Sequence, residues 1–259
     1  MPFTFSHPAI VLPLTYLPRK WYSLTGLIVG SLVPDFEYFI TMRLHSSYSH
    51  SIIGIFWFDL PLGLLLAFIF HNVLRDRLYD NLPTILKSRL STYKQFDWNS
   101  YFKANWFIVI ISVLVGTASH IFWDSFTHAD GYFVKKIPEL TKMIYLFDTQ
   151  VPIYRVIQYS STLLGGLAII FAILHLPADK RVTGQFSLKY WGTFTGITLI
   201  VFGIRLLSGL EYKLLKQLIV TMISSGLISL ILTSIIIGKS KKTTGRRGND
   251  IRARSHTTI

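Results

Sequence analysis

His120, Asp124 and His128 recur at intervals of four in the segment SHIFWDSFTHADGYF, at the end of a long apolar run. Positions i, i+4 and i+8 drift by only about 40° per step around a helix, so all three can share a face. Neighbours four apart have Cβ atoms about 6 Å from each other, close enough to hold one ion. Imidazole nitrogen with carboxylate oxygen suits Zn2+, and also Mn2+ or Fe2+. The sequence contains no cysteine, which excludes thiolate sites, disulfides and thiol nucleophiles. Further residues of the same chemistry lie upstream: His7, the run Pro34-Asp35-Phe36-Glu37, and the loop HSSYSHS with His45 and His50. A catalytic ion needs about three protein ligands and one open position. His7, Asp35, His50, His120 and Asp124 meet that need for one or two Zn2+ ions, and a pair about 3.5–4 Å apart can activate water and bind a phosphoryl oxygen. Glu37, His45 and His128 are then expected to move protons or complete the ligand set. Asp130-Gly131 places the helix end near His128, so that residue is expected just past the regular helix.

Each residue alone has a plainer reading. An HxxxD pair on a membrane helix also describes a hydrogen-bonded histidine beside a helix-end carboxylate. Asp35 can simply close a turn, Glu37 can be interfacial, and His45 can be a solvated loop residue. Asp59 lies inside an apolar run, where an ionisable group is costly and a functional role is the default. Its depth suggests a proton-linked or structural partner. The convergence of His7, Asp35, His50, His120 and Asp124 is what favours a metal centre.

The elements that must position these residues follow from composition. The 259 residues are 51% hydrophobic and only 15% charged, where a soluble domain carries about a quarter charged, so a membrane protein is expected. Five apolar runs, at about 52–72, 105–122, 159–176, 190–207 and 218–238, are long enough to cross a bilayer. Before them, Ser6 is a good N-cap and Pro8 suits a first helical turn, so a short helix is expected to run to about Leu17. A second arm runs from about Tyr22 until Pro34 ends or kinks it. Each arm is about 12 residues, or about 18 Å, which is short for a span. The fold expected is an all-α polytopic membrane bundle, with a helical hairpin at 6–34 and five transmembrane helices forming one embedded unit over 1–238. A basic tail, 239–259, follows and is read as disordered.

The net charge of +13 is spread between and after the apolar runs rather than over one polar domain, so no nucleic-acid partner is expected. Basic residues concentrate in 75–103, 177–189 and the tail, whereas 123–158 is charge-balanced. The positive-inside rule makes the first three cytoplasmic and places the histidine and carboxylate groups at the outer face. His71 and His175 fall at the opposite face. No cleavable signal segment is expected, because Arg19 and Lys20 follow the first apolar stretch instead of preceding it.

The blocks MPFTFSHPAIVLPL, GSLVPDFEYF, HSSYSHS, FDLPLGLLLAFIFH and SHIFWDSFTHADGYF resemble an uncharacterised bacterial multi-pass membrane family, known as a domain of unknown function. A more distant similarity leads to membrane-bound metal-dependent hydrolases, whose pattern has an early His, Pro-Asp-x-Asp, His-Arg-Gly-x-Thr-His-Ser and a later His-x-x-x-Asp. His7, Pro34-Asp35-Phe36-Glu37, His45 to Ser51, and His120 with Asp124 take those places. Glu37 replaces the second Asp, and Ser46-Ser47 replace Arg-Gly, which removes an arginine suited to clamping phosphate. Those hydrolases are in turn similar to the zinc-dependent phospholipase C and nuclease group. The resemblance implies an inner-membrane hydrolase in which metal-activated water attacks a phosphoester, with membrane lipids or a lipid-linked phosphoester as partners. The alternative is a non-enzymatic transporter or metal-binding membrane protein. In a transporter, Asp59 should lie on a polar path toward His71 and His175. A third reading makes the His and Asp residues interhelical hydrogen bonds.

Overall fold

The computed structural model describes residues 3–44, 47–184, 186–209 and 215–238. His45 and the basic tail 239–259 therefore lie outside the described residues. The N-terminal arm is a 3-10 turn, Thr4–Ser6, then α1 (Pro8–Val11) and a second 3-10 turn, Leu12–Tyr16. Pro8 occupies the first turn, where its missing N–H is no loss. The cap expected at Ser6 does not form. Its hydroxyl instead donates to the Thr162 carbonyl at 2.9 Å, which ties the arm to a later helix. The second arm, α2 (Leu24–Leu32), is capped by Ser23, whose Oγ accepts from the Gly26 N–H. Pro34 kinks the chain without stopping it: a 3-10 turn, Val33–Asp35, leads into α3 (Phe36–Thr41).

Five helices are long and apolar enough to cross a membrane: α4 (Ile52–Asp80), then, after the short α5 (Thr84–Leu90), α6 (Trp98–Asp124), and later α8 (Ile153–Leu174), α9 (Leu188–Leu207) and α10 (Leu215–Ile236). The protein is thus a multi-pass membrane protein of helical class. Every expected run falls on one of them, but α4 and α6 extend well past the apolar stretch. The start of α6 is set by Asp97, whose side chain accepts from the Ser100 N–H, and a cap carries no hydropathy signal. Between α6 and α8 lie α7 (Tyr132–Lys136) and an antiparallel hairpin, β1 (Met143–Leu146) with β2 (Thr149–Pro152). That hairpin is a small exception to the all-α expectation.

The most extensive helix pair is α2 on α6. Small residues make it possible: a Cβ at Gly30 would overlap the Val113 carbonyl, and one at Gly116 would overlap that of Leu27. The apolar core of Ala67, Trp98, Val109 and Val113 packs α4 against α6, with Val29 of α2 beside it. Leu163, Leu164, Leu167, Ile170 and Phe171 of α8 are exposed, as lipid-facing side chains should be.

Candidate metal centre

The face of α6 that meets α2 runs Ser112, Gly116, His120, Asp124, one residue per turn, and all are buried. Close helix approach lets backbone polar groups pair across the interface. The Ser23 N–H donates to Ser112 Oγ at 2.8 Å, and Thr117 Oγ1 donates to the Gly30 carbonyl at 3.2 Å. One turn further on, His120 Nδ1 lies 2.7 Å from the Ser31 carbonyl. Donation to that carbonyl orients the ring and turns Nε2 away from α2. His120 has no solvent exposure.

Asp35 reaches the same place because the 3-10 turn at Pro34 carries the chain around the end of α2. It is fully buried, and its Oδ2 accepts from Thr4 Oγ1 at 2.6 Å. Burial alone would raise its pKa, but the His120 charge holds this carboxyl below the usual carboxylate range. His7 immediately precedes α1 and stacks on the His120 ring, with centroids 3.8 Å apart and planes 17° from parallel. Burial, and then the neighbouring His120 charge, push His7 down to about 4, so it is a neutral imidazole at pH 7.

His50 enters from the loop before α4, with a left-handed backbone at φ 61°. A non-glycine residue there costs about 1 kcal/mol, which the surrounding contacts must offset. Glu37 supplies part of that constraint. Its carboxylate accepts from the N–H groups of Ser47, Tyr48 and Ser49 at 2.6–3.2 Å. Burial opposes its charge, and those donors outweigh burial to hold its pKa below the ordinary value. Burial also lowers the pKa of His50, yet Asp124 and Asp35 outweigh it and raise the group to about 9.

The ligand atoms of Asp35, His50, His120 and Asp124 all lie within 4.8 Å of one another. His120 Nε2 is 3.3 Å from Asp124 Oδ2 and 3.5 Å from Asp35 Oδ1. His50 Nε2 is 3.5 Å and 3.6 Å from the same two oxygens. These separations are long for hydrogen bonds, which centre near about 2.9 Å. A tetrahedral ion with bonds of about 2.0–2.1 Å holds its ligand atoms about 3.3–3.4 Å apart, close to these four separations. The other oxygen of Asp124, Oδ1, lies 3.6 Å from His7 Nε2 and 3.6 Å from His128 Nδ1. Asp124 therefore faces ligand atoms with both oxygens. Seven buried atoms here have no hydrogen-bond partner among the described residues: both nitrogens of His7, Asp35 Oδ1, His50 Nε2, His120 Nε2 and both oxygens of Asp124. Buried polar atoms without hydrogen bonds are costly, and a bound ion is one way to satisfy those that converge.

The structure thus brings together His7, Asp35, His50, His120 and Asp124, with His128 at the edge. His128 lies past the end of α6, where its Nδ1 is 3.1 Å from the Asp124 carbonyl. Glu37, expected to move protons or complete the ligand set, accepts from three backbone N–H groups of the loop and is not among the converging ligand atoms. Asp59 is fully buried in a π-turn of α4 and neither oxygen has a partner among the described residues. Thr4 and the Ser31 carbonyl were not foreseeable: threonine carries no metal signature, and a backbone carbonyl has none in any sequence.

A family model described as a domain of unknown function, DUF4184, matches residues 1–235. The chain belongs to this family. No curated protein and no solved structure matches it. In this DUF4184 chain every residue of the cluster lies within the matched region, as do the spanning helices as far as residue 235, close to the end of α10.

Proposed function

We propose that this protein is an integral-membrane, metal-dependent hydrolase acting on a phosphoester, lipid-borne or lipid-linked. The observation that carries the reading is the convergence of ligand atoms from Asp35, His50, His120 and Asp124 within 4.8 Å of one another, with N–O separations of 3.3–3.6 Å. Asp35, His50, His120 and Asp124 would hold Zn2+, with His7 and His128 on the second oxygen of Asp124; Mn2+ or Fe2+ would use the same donors. An ion there supplies Lewis acidity and an activated water. The protein's own part is orientation. Ser31 aims His120, Thr4 holds the outer oxygen of Asp35, and Glu37 fixes the loop that carries His50. Neutral His7 is available as a ligand or proton acceptor beside Asp124.

Two further features support a lipid-borne substrate. A cleft of about 480 Å3, lined mainly by apolar groups and including Ile10, Trp123, Leu164 and Ala168, reaches His7 from the side of the lipid-facing helix α8. An acyl or polyprenyl chain fits such a wall. The distribution of basic residues supports a cluster at the outer face of the inner membrane. The transporter reading is disfavoured by the buried face of α4. Between Asp59 and His71 it presents Gly63 and Ala67, and the core of Ala67, Trp98, Val109 and Val113 fills the space beside them.

The test is elemental analysis of detergent-purified protein together with hydrolysis of a fluorogenic phosphodiester and of phospholipid in mixed micelles. Zinc and turnover should both be present in the wild type and both lost in Asp124→Ala. Zinc without turnover of any phosphoester would favour the metal-binding alternative, and absence of metal after zinc-replete purification would sink both.

A further inference from the structure

A second pocket, of about 430 Å3, shares the His50 loop with the metal centre and is lined by Glu37, Thr41, Arg43, Ser47, Tyr48 and Arg205. Its two arginines come from places far apart in sequence: Arg43 follows α3, and Arg205 sits in the last turn of α9. Neither guanidinium forms an ion pair with a described carboxylate. Arg205 donates one bond, from Nη1 to Ser208 Oγ at 2.9 Å. The acid in this wall, Glu37, is buried, and its oxygens are engaged by three backbone N–H groups. The pocket therefore carries two permanent positive charges, with hydroxyls from Thr41, Ser47 and Tyr48 and no exposed negative charge among its lining residues to balance them.

We propose that this pocket binds a phosphoryl group through Arg43 and Arg205. Guanidinium is always charged, and its planar fork matches the oxygens of phosphate. The loop HSSYSHS lacks an arginine of its own, and the fold supplies two, from the end of α3 and from α9, to the other side of that loop. As a statement about substrate class the inference rests on the hydrolase reading: the molecule turned over would carry a phosphate that these arginines grip while the His50 loop lies against it. Anion binding itself does not require the metal.

The experiment is titration of full-length protein in detergent with inorganic phosphate, read by calorimetry, before and after zinc removal by chelation. The Arg43→Gln/Arg205→Gln double variant should bind phosphate about tenfold more weakly or worse in both states, with its zinc content unchanged. A second arm places the protein in nanodiscs of phosphatidylcholine with or without phosphatidylglycerol and reads retained lipid by native mass spectrometry. Loss of phosphatidylglycerol retention in the double variant would identify a lipid headgroup as the source of the phosphate, whereas an effect confined to the first arm would identify free phosphate. Equal binding by wild type and variant in both arms would overturn the proposal. If the double variant does not fold, Arg43→Lys/Arg205→Lys keeps the charge and the stems, and should lose a smaller but measurable part of the affinity. Intact arginine-dependent binding in a protein that holds no zinc would remove the hydrolase reading and leave the anion site standing.

Discussion

Two histidine sites lie at opposite ends of the same helix pair, and their contrast separates structure from function. At one end, His71 Nε2 pairs with Thr25 Oγ1 at 3.0 Å, Nδ1 with Arg75, and the ring stacks on Trp98. Arg75 in turn donates to the Phe96 and Lys94 carbonyls and to Asp76. At the other end, His7, His50, His120, Asp35 and Asp124 leave seven buried atoms without partners among the described residues. Both regions bury the same chemistry. The ring nitrogens of His71 are both satisfied, whereas at the other end histidine nitrogens and carboxylate oxygens lack hydrogen bonds, and buried groups of that kind call for an explanation. Thr221, Ser225 and Ser229 on α10 belong with the satisfied class. Each donates to the carbonyl one turn back, at 2.6–2.9 Å.

The largest expected difference comes from substituting the two histidines. His120→Ala should abolish stoichiometric zinc by elemental analysis, and His71→Ala should leave zinc unchanged while costing about 2 kcal/mol or more of stability through the unpaired Arg75 and Thr25 groups. Equal zinc loss in both variants would erase the distinction between the sites. Next in size is Thr4→Val, which removes the donor to Asp35; zinc affinity should fall about 10–100-fold in a competition titration, with helicity intact. An unchanged affinity would show that Asp35 needs no such support.

Proton competition gives an intermediate effect with a defined sign. In the metal-free protein the pKa of His50 is raised from 6.5 to about 9, so its contribution to stability is fully present below about pH 6.5 and is lost as pH rises through about 9. Zinc needs that imidazole neutral, so its affinity should climb by at least about tenfold per pH unit between about 7 and 9. The gain in melting temperature on adding zinc should therefore widen with pH. A gain that shrinks with pH would place His50 outside the ligand set. The smallest effect expected is that of Glu37→Gln, which weakens the hold on the Ser47–Ser49 amides without touching a ligand. Zinc affinity should drop by less than about tenfold, and a complete loss would instead give Glu37 a direct part in the site.

Much of this was legible in the order of residues. Apolar runs dictate spanning helices because a bilayer accepts only segments that satisfy their own backbone hydrogen bonds, and the five helices follow those runs. The four-residue spacing of His120 and Asp124 places both on one face of α6 in any helix. The ends of α4 and α6 were less legible, since capping groups and polar first turns decide them. Glu37, expected in proton movement, is found anchoring a loop, because sequence does not show which backbone amides will turn toward a carboxylate.

The sequence by itself determined the class of fold, the available donor chemistry and the stripe on α6. Only tertiary structure decided that Gly30 and Gly116 let α2 close on α6, so that the Ser31 carbonyl aims His120. It also decided that His7 and a left-handed His50 meet the two oxygens of Asp124 at 3.6 and 3.5 Å, with Asp35 3.6 Å from the same His50 nitrogen. The physical reason is range. Helical periodicity and hydropathy act over neighbouring residues, whereas a side-chain cluster drawn from four segments depends on how closely helices approach, and steric contact between distant residues sets that distance.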